Sequence, residues 1–255
     1  MTATCAGCGA DVAPADNFCE RCGLGQPTGR DRVEIDLGAV AGISDRGRGH
    51  HRNEDALALR AGTVTVAVVS DGVSTSDRPD DASLAAAEAA ADVLAGGGTT
   101  RAAVRAASEA VDALAAGTDD APACTYVSAV ATAEDVTVTW VGDSRAYWLG
   151  ARESRRLTED DALGHVLTAW LGADAGEVEP HEVTFRPAEA GAVLLCSDGL
   201  WNYLDEAAEL AARVHGREPL TAAADLVQYA NDQGGHDNIT VVVLPFPPRS
   251  TRSRG

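Results

Sequence analysis

The 255-residue chain is strongly acidic, with 39 Asp and Glu residues, 20 Arg and Lys residues and a formal net charge of −19. A field of this sign repels polyanions, which argues against nucleic-acid binding and favours divalent cations or cationic partners. Hydrophobic residues form 45% of the chain, enough for one sizeable core. No apolar run reaches the roughly 20 residues that span a bilayer, and no leader pattern is present, so we predict a cytoplasmic protein without a membrane partner.

Two CxxC pairs lie near the start of the chain, Cys5 with Cys8 and Cys19 with Cys22. In a reducing cytosol, cysteines at this spacing indicate metal ligands more than disulfides. Four thiolates on two tight turns suit tetrahedral zinc, and the metal would stabilise a unit too small to bury a core. We predict a zinc ribbon over residues 1–24; a redox pair or unrelated thiols are the alternative. With a single basic residue, the ribbon favours a structural or protein-binding role.

The rest of the chain is predicted to contain a linker at 25–33, one domain at 34–246 and a disordered tail at 247–255. Apolar β-branched runs predict strands, and Ala-rich runs predict helices. The strands are expected at 64–70, 124–132, 136–141, 145–149, 192–197 and 239–244, and the helices at 82–94, 101–115, 205–214 and 220–231. Because strands cluster and helices come in pairs, the order favours an α+β fold with antiparallel sheets.

Four aspartates stand at the ends of predicted strands. Asp71, Asp143 and Asp198 each follow an apolar strand, and Asp237 comes just before one. Each alone is compatible with an ordinary turn. Brought together, such carboxylates would repel one another or take up protons unless a cation lay between them. Ligands that offer only oxygen favour Mg²⁺ or Mn²⁺ over zinc, so a two-metal phosphoryl-transfer site is a hypothesis.

The sequences around these aspartates resemble the metal-dependent (PPM, type 2C) serine/threonine protein phosphatase family of bacterial type. The resemblance covers roughly residues 40–245, and the motifs occur in the family's order. They are NEDA at 53–56, VVSDG at 68–72, VGDSRAYWL at 141–149, LTEDD at 157–161, LLCSDGLW at 194–201 and DNITVVV at 237–243. The resemblance implies a four-layer αββα sandwich, in which helix pairs flank two antiparallel sheets, with a binuclear Mn²⁺ or Mg²⁺ centre at one rim.

The same resemblance assigns the metal ligands. Asp71 would bridge the two ions, and Gly72 would offer its backbone carbonyl. Asp198 and Asp237 would bind one ion, and Asp143 together with Asp198 matches the position of a third metal. The implied reaction is attack of an activated water on phosphorus without a covalent phospho-enzyme.

Supporting roles follow from the resemblance as well. Glu54 would hold a metal-bound water, and Asn238 and Asp55 would orient the site, although Asp55 could equally be a salt-bridge partner in the core. His50 stands where the family has a phosphate-binding arginine. Three alternatives stay open: His50 replaces it, Arg48 or Arg52 reaches in, or His50 is an ordinary exposed histidine.

The predicted function is a phosphatase that acts on phospho-Ser and phospho-Thr of protein substrates of bacterial kinases. A phosphoprotein-binding module with little catalysis and a small-molecule phosphoesterase are the alternatives. The segment 157–172 is shorter than the flap that family members commonly carry, which predicts an open site. The residues after Gly72, up to the helix expected at 82, are predicted to be loosely ordered.

Overall fold

The computed structural model describes residues 3–5, 8–13, 18–23, 29–117, 120–164 and 166–247. The predicted tail from 248 onward, residues 25–28 of the predicted linker and parts of the predicted ribbon lie outside the described residues. Within the described part of the chain, no helix combines the length and the apolar character needed to cross a bilayer.

Seventeen strands and five helices are described. The strands are β1 (Ala3–Thr4), β2 (Asp11–Val12), β3 (Arg32–Asp36), β4 (Ala41–Asp45), β5 (Asp55–Ala61), β6 (Thr65–Asp71), β7 (Ala123–Cys124), β8 (Tyr126–Ala131), β9 (Val136–Val141), β10 (Arg145–Gly150), β11 (Ser154–Arg156), β12 (Ala162–Leu163), β13 (Val166–Leu167), β14 (Leu171–Gly172), β15 (His181–Phe185), β16 (Gly191–Cys196) and β17 (Ile239–Phe246). The helices are α1 (Pro79–Ala95), α2 (Thr100–Asp112), α3 (Asp198–Trp201), α4 (Ala207–Val214) and α5 (Pro219–Asp232).

Two antiparallel sheets form the centre of the molecule. One has the strand order β11-β10-β16-β17-β4-β3, and the other has the order β15-β9-β8-β6-β5. Consecutive strands β9 and β10 belong to different sheets, so the turn between them passes from one sheet to the other. The segments that connect the two sheets can therefore meet at one rim of the sandwich.

Three hydrophobic clusters fill the spaces between the four layers of the fold, which are two sheets and the helices on either side of them. Leu195 and Trp148 from one sheet and Val69 and Val138 from the other fill the space between the sheets. A second cluster joins the five-stranded sheet to α1 and α2, and a third joins the six-stranded sheet to α4 and α5. Sheets and helices bury one face each against a neighbour, which is the arrangement that an α+β sandwich requires. The predicted four-layer αββα sandwich is confirmed.

The predicted helices correspond to α1, α2, α4 and α5 with small shifts at their ends, but the start of α1 differs. The prediction left residues 79–81 loosely ordered, whereas α1 begins at Pro79. Proline suits the first helical position because its fixed φ is helical and no backbone donor is needed there. Asp80 and Asp81 lie in the first turn, where negative charge is favourable next to the helix dipole.

Candidate active site

Five carboxylates, which we call the acidic rim, lie at the ends of strands from both sheets. Asp71 is the last residue of β6, and its partner in the register of β5 is Asp55. Asp143 lies in the turn between β9 and β10, Asp198 is the first residue of α3 after β16, and Asp237 lies two residues before β17. The structure thus gathers the four predicted strand-end aspartates and Asp55 at one edge of the sandwich.

Burial and mutual repulsion perturb these carboxyl groups. Burial and the charges of Asp55 and Asp198 raise the pKa of Asp71 well above its usual range. Burial and then the charges of Asp237 and Asp143 raise the pKa of Asp198 to about 8. Burial is also the main reason that the pKa of Asp143 is raised. Each effect disfavours the ionised form, so the rim can keep all its charges only with a cation among them.

The residues of the rim fit a hard divalent metal. Oδ1 of Asp55 and Oδ1 of Asp198 are buried and accept no hydrogen bond from any described residue. Unpaired buried carboxylate oxygens are costly in free energy, and oxygen is the donor that Mg²⁺ and Mn²⁺ prefer. The rim therefore provides ligand atoms without protein partners at the place where the sequence predicted the metal centre.

Asp55 occupies the rim without a salt bridge to any described residue. Its Oδ2 accepts a hydrogen bond of 2.7 Å from Ser197 Oγ. Burial raises the pKa of Asp55 to about 6, although that hydrogen bond acts in the opposite direction. The alternative of a core salt-bridge partner finds no support, and the placement favours a contribution to the site.

Glu54 lies beside the rim, and hydrogen bonds to both its backbone and its side chain fix its position. Its amide donates to Asn238 Oδ1 at 2.8 Å, and its Oε2 accepts a hydrogen bond of 2.5 Å from Ser74 Oγ. Its carbonyl accepts hydrogen bonds from the Gly72 amide at 3.1 Å and from Ser83 Oγ at 2.5 Å. Sequence reasoning missed Ser74, because an isolated serine carries no pattern that indicates such a contact.

Gly72 is forced to be glycine by the close packing around it. A Cβ atom at this position would lie 2.4 Å from the Pro79 carbonyl oxygen and 2.8 Å from the Glu54 carbonyl oxygen. No side chain fits in this space, so the start of α1 and the loop before β5 can approach the end of β6 closely. This contact keeps Asp71 and Glu54 near each other.

His50, and not a neighbouring arginine, reaches the carboxylates. Its Nε2 lies 3.0 Å from Asp237 Oδ1, and its Nδ1 lies 3.8 Å from Glu54 Oε2. Arg48 pairs instead with Asp232 at 3.5 Å, and Arg52 pairs with Asp80 at 3.2 Å. The placement favours His50 as the residue that replaces the family's phosphate-binding arginine.

Residues 46–54, which we call the site loop, connect β4 to β5 and pack on the loop before β17. The amides of Arg48 and Gly49 both donate to the Gly235 carbonyl, at 2.7 and 3.0 Å. A Cβ on Gly49 would lie 2.1 Å from the His236 carbonyl oxygen, so the two loops touch through backbone atoms. Asn238 Nδ2 adds hydrogen bonds to the carbonyls of residues 46 and 52. These contacts between the two loops place His50 beside Asp237.

Polar contacts from Trp201 and Arg145 surround the turn that contains Asp143. Trp201 Nε1 donates to the Asp143 carbonyl at 3.0 Å, and the Arg145 guanidinium stacks on the Trp201 ring at 3.7 Å. Arg145 also forms a close ion pair with Asp160, 2.6 Å between Nη2 and Oδ2. Arg145 therefore forms its close ion pair with Asp160 and not with Asp143, whose carboxylate belongs to the rim.

The short segment after the LTEDD motif forms a small hairpin of β12 and β13. Leu163 and Val166 on this hairpin are 78% and 69% exposed, which is unusual for large apolar side chains. An open cleft of about 520 Å³ lies beside it, lined by residues that include Ser74, Val166 and Trp170. Ser74, which lines this cleft, also donates a hydrogen bond to Glu54 Oε2.

The four predicted zinc ligands also come together. One ligand atom from each of Cys5, Cys8, Cys19 and Cys22 lies within 4.8 Å of the others, and all four are free thiols. The Ala10 amide lowers the pKa of Cys8, but the neighbouring Cys19 thiol and burial outweigh it and raise that pKa to about 12. Four sulfur atoms this close together suit the tetrahedral coordination of a soft cation such as zinc.

The remaining candidates lie away from ligand positions. His236 Nδ1 is 2.9 Å from the Tyr203 hydroxyl, so its described partner is a side chain outside the rim. Cys124 and Cys196 are fully buried within strands, as expected for core residues. Trp140 and Trp148 are buried in the cluster between the sheets, also as expected.

Comparison with known proteins agrees with this geometry. The chain is 34% identical over 142 residues to "Serine/threonine phosphatase stp" of Listeria innocua, an alignment that covers 47% of this chain and 55% of that protein. The chain thus spans about half the length of the curated relatives that it matches.

Two solved structures have the same fold. One is the Mycobacterium tuberculosis serine/threonine phosphatase PstP/Ppp, with a TM-score of 0.65, 27% identity and coverage of 80% of this chain and 96% of that chain. The other is the catalytic domain of PstP in complex with two manganese ions, with a TM-score of 0.65, 25% identity and coverage of 83% and 97%.

A family model described as "Protein phosphatase 2C" matches residues 42–230. The match includes the NEDA, VVSDG, GDSR and CSDGLW motifs and ends just before the loop of Asp237. Since the model covers most of the chain, and the sandwich carries its carboxylates at the expected rim, the chain belongs to the protein phosphatase 2C family.

Proposed function

We propose that this chain is a Mn²⁺- or Mg²⁺-dependent protein phosphatase that hydrolyses phospho-Ser and phospho-Thr esters. The observation that carries the proposal is the acidic rim, where strand ends of two sheets bring buried carboxylates together with no basic partner except His50 among the described residues. Family membership and the phosphatase names of the relatives support the same activity.

In this proposal Asp71, the Gly72 carbonyl, Asp198 and Asp237 would hold two ions. Asp143 and Asp198 are the candidates for a third ion. Bound divalent ions lower the pKa of water and offset charge on the phosphoryl group. Two manganese ions in the PstP catalytic domain support this choice of metal.

The protein's own residues position the reactants. Glu54, fixed by Ser74 and by the Asn238 amide oxygen, accepts a hydrogen bond from the attacking water and so orients it. His50, when protonated, donates to a phosphoryl oxygen from its place between Glu54 and Asp237. Asp55 reinforces the negative charge that retains the ions. No covalent phospho-enzyme is needed in this arrangement.

The proposed substrates are proteins phosphorylated by bacterial Ser/Thr kinases, and the site takes phospho-Ser and phospho-Thr. Two features support protein substrates. The cleft beside Ser74 is open, and the apolar side chains of Leu163 and Val166 are available at its border. The large negative charge favours substrates with basic residues near the phosphorylated position.

We also propose that Cys5, Cys8, Cys19 and Cys22 bind one structural zinc ion, in a unit separate from the domain at 34–246. The convergence of the four sulfurs within 4.8 Å supports this site. The zinc content of the purified full chain, and its loss in Cys22→Ser, test it directly. A full chain that contains no zinc after expression with zinc supplied would contradict it.

The phosphatase proposal is tested by the release of inorganic phosphate from a phospho-Thr peptide and from an aryl phosphate. Each substrate is assayed with Mn²⁺, with Mg²⁺, and with a chelator followed by renewed addition of metal. We expect turnover of both substrates with metal and none in chelator. Turnover of the aryl ester alone would indicate a small-molecule phosphoesterase, and peptide binding without turnover would indicate a signalling module.

A further inference from the structure

One side chain of the N-terminal unit, which comprises the described residues between 3 and 23, touches the site loop. The ring of Phe18 meets the ring of His51 edge to face, with centroids 5.3 Å apart and planes at 78°. Phe18 directly precedes Cys19, which is buried, yet Phe18 itself is 42% exposed. An apolar ring on such a small unit therefore packs on a loop of the phosphatase domain.

His51 is the neighbour of His50, which reaches the acidic rim. The first half of the site loop is fixed by the hydrogen bonds from Arg48 and Gly49 to Gly235. A different hydrogen bond fixes the backbone in the second half of the loop: Arg46 Nη1 donates to the His50 carbonyl at 3.1 Å. The exposed His51 side chain makes its ring contact with Phe18.

The chain that leaves the N-terminal unit is attached to the same loop. Asn53 Nδ2, buried at the end of the site loop, donates to the Arg30 carbonyl at 3.1 Å. The Arg30 side chain pairs with Asp80 at the start of α1, and Arg52 of the site loop pairs with Asp80 as well, at 3.2 Å. The site loop is thus contacted by Phe18 of the unit and, separately, by Arg30 further along the chain.

We propose that the N-terminal unit positions the site loop, with Phe18 acting through His51 to hold His50 over Glu54 and Asp237. Phe18 is a positioning residue in this view, and the four cysteines fix the turn that carries it. The inference rests on the proposed phosphatase function. It assigns the N-terminal unit a role in binding the phosphoryl group itself, since His50 is the proposed phosphate contact.

The test compares Phe18→Ala, Phe18→Tyr and His51→Gln in the full-length, metal-loaded protein, with an aryl phosphate and a phosphoprotein as substrates. An edge-to-face pair is a modest interaction, so we expect Phe18→Ala to raise KM about 3- to 10-fold for both substrates, with kcat within about twofold. His51→Gln should do the same, and the double variant should be no worse than either single one. Phe18→Tyr, which keeps the ring, should restore KM.

Arg21→Ala is the matched control. Arg21 is exposed in the same turn and forms no hydrogen bond or ion pair with any described residue, so its replacement should leave KM unchanged. Cys22→Ser should release the zinc, measured as metal content, and raise KM as Phe18→Ala does. Histidine-selective NMR gives a readout independent of activity, since loss of the Phe18 ring should shift the His51 ring protons.

The results can contradict the inference alone, contradict the phosphatase proposal, or support the inference. An unchanged KM in Phe18→Ala for the aryl phosphate overturns the inference and leaves the phosphatase proposal intact. A rise for the phosphoprotein alone also overturns it, because Phe18 would then recruit substrate and would not position His50. A wild-type chain that turns over neither substrate refutes the phosphatase proposal, and the inference with it. Equal rises for both substrates with rescue by Phe18→Tyr support the inference.

Discussion

The acidic rim and the outer face of α1 both contain acidic residues, but those on α1 are exposed and paired with arginine, whereas those at the rim are buried near other acids. On α1, Glu88 and Asp92 are largely exposed, and both pair with the Arg60 guanidinium at 2.6 and 2.7 Å. At the rim, burial and the charges of neighbouring acids raise the pKa of both Asp71 and Asp198. An acid with solvent and an arginine beside it needs no other partner, whereas the rim acids need a cation.

The difference decides which acids matter for function in a chain with 39 of them. Exposed ion pairs contribute little to stability, because solvent screens them and the side chains lose entropy. Buried carboxylates without a cation oppose folding, because both desolvation and repulsion act against the charged form. A fold that keeps such a cluster accepts a cost in stability, and ion binding offsets it.

The largest effect is expected from removal of the proposed bridging ligand. Asp71→Asn should lower kcat/KM at least about 1,000-fold, or ~4 kcal/mol of transition-state stabilisation, because the amide replaces a charge that both ions share. Steady-state kinetics with saturating Mn²⁺ measure it, and circular dichroism verifies the fold. Asp92→Asn on α1 is the matched control and should stay within twofold. An Asp71→Asn variant with a tenth of the wild-type activity would contradict the comparison.

An intermediate effect is expected on stability without divalent metal. Without metal, burial and the charges of Asp237 and Asp143 raise the pKa of folded Asp198 to about 8, whereas the unfolded residue has its usual pKa of about 3.8. Between these values the folded state binds more protons, so stability falls as pH rises. From pH 5 to pH 8 in chelator, we expect Tm to fall by about 5 °C.

Saturating Mn²⁺ should remove this fall, because the ions keep the carboxylates ionised and paired. Asp198→Asn should flatten the profile in chelator, since one of the titrating groups is gone. Thermal melts at both pH values with and without metal measure the effect. A Tm in chelator that rises between pH 5 and pH 8 would show that the rim acids are not strained by their charges.

The smallest effect is expected at an exposed pair far from the rim. The Arg186 side chain is 67% exposed and pairs with Glu134 and Asp135 at 2.6 and 3.0 Å. Arg186→Ala should change the free energy of unfolding by less than about 1 kcal/mol and leave kcat/KM unchanged. Urea unfolding and the same kinetic assay test this. If Arg186→Ala lowered kcat/KM as much as Asp71→Asn, the proposed difference between exposed, paired acids and the rim acids would be wrong.

Much of the fold was predictable because its signals are local. Apolar runs placed six of the eleven strands of the two large sheets and missed β3, β4, β5, β11 and β15. Ala-rich runs placed four of the helices to within a few residues. The start of α1 was missed, although Pro79 followed by two acids is a favourable helix start.

The site was predictable only in part, because its contacts join distant segments. The order of motifs indicated which aspartates meet, but it left three candidates for the phosphate contact. The structure places His50, and neither Arg48 nor Arg52, beside Asp237, because the loop of Arg48 and Gly49 packs on the Gly235 carbonyl. Ser74 beside Glu54 had no pattern to reveal it, since a serine hydroxyl finds its partner only after the chain has folded.

By itself, the sequence determined the class of the fold, the two CxxC pairs and the aspartates at strand ends, because periodicity, spacing and motif order are properties of neighbouring residues. Only the tertiary structure decided that Asp55 belongs to the acidic rim, that His50 lies between Glu54 and Asp237, and that Phe18 packs on His51. These are contacts between segments distant in sequence. Their geometry depends on how the two sheets and their loops pack, which no local pattern of residues encodes.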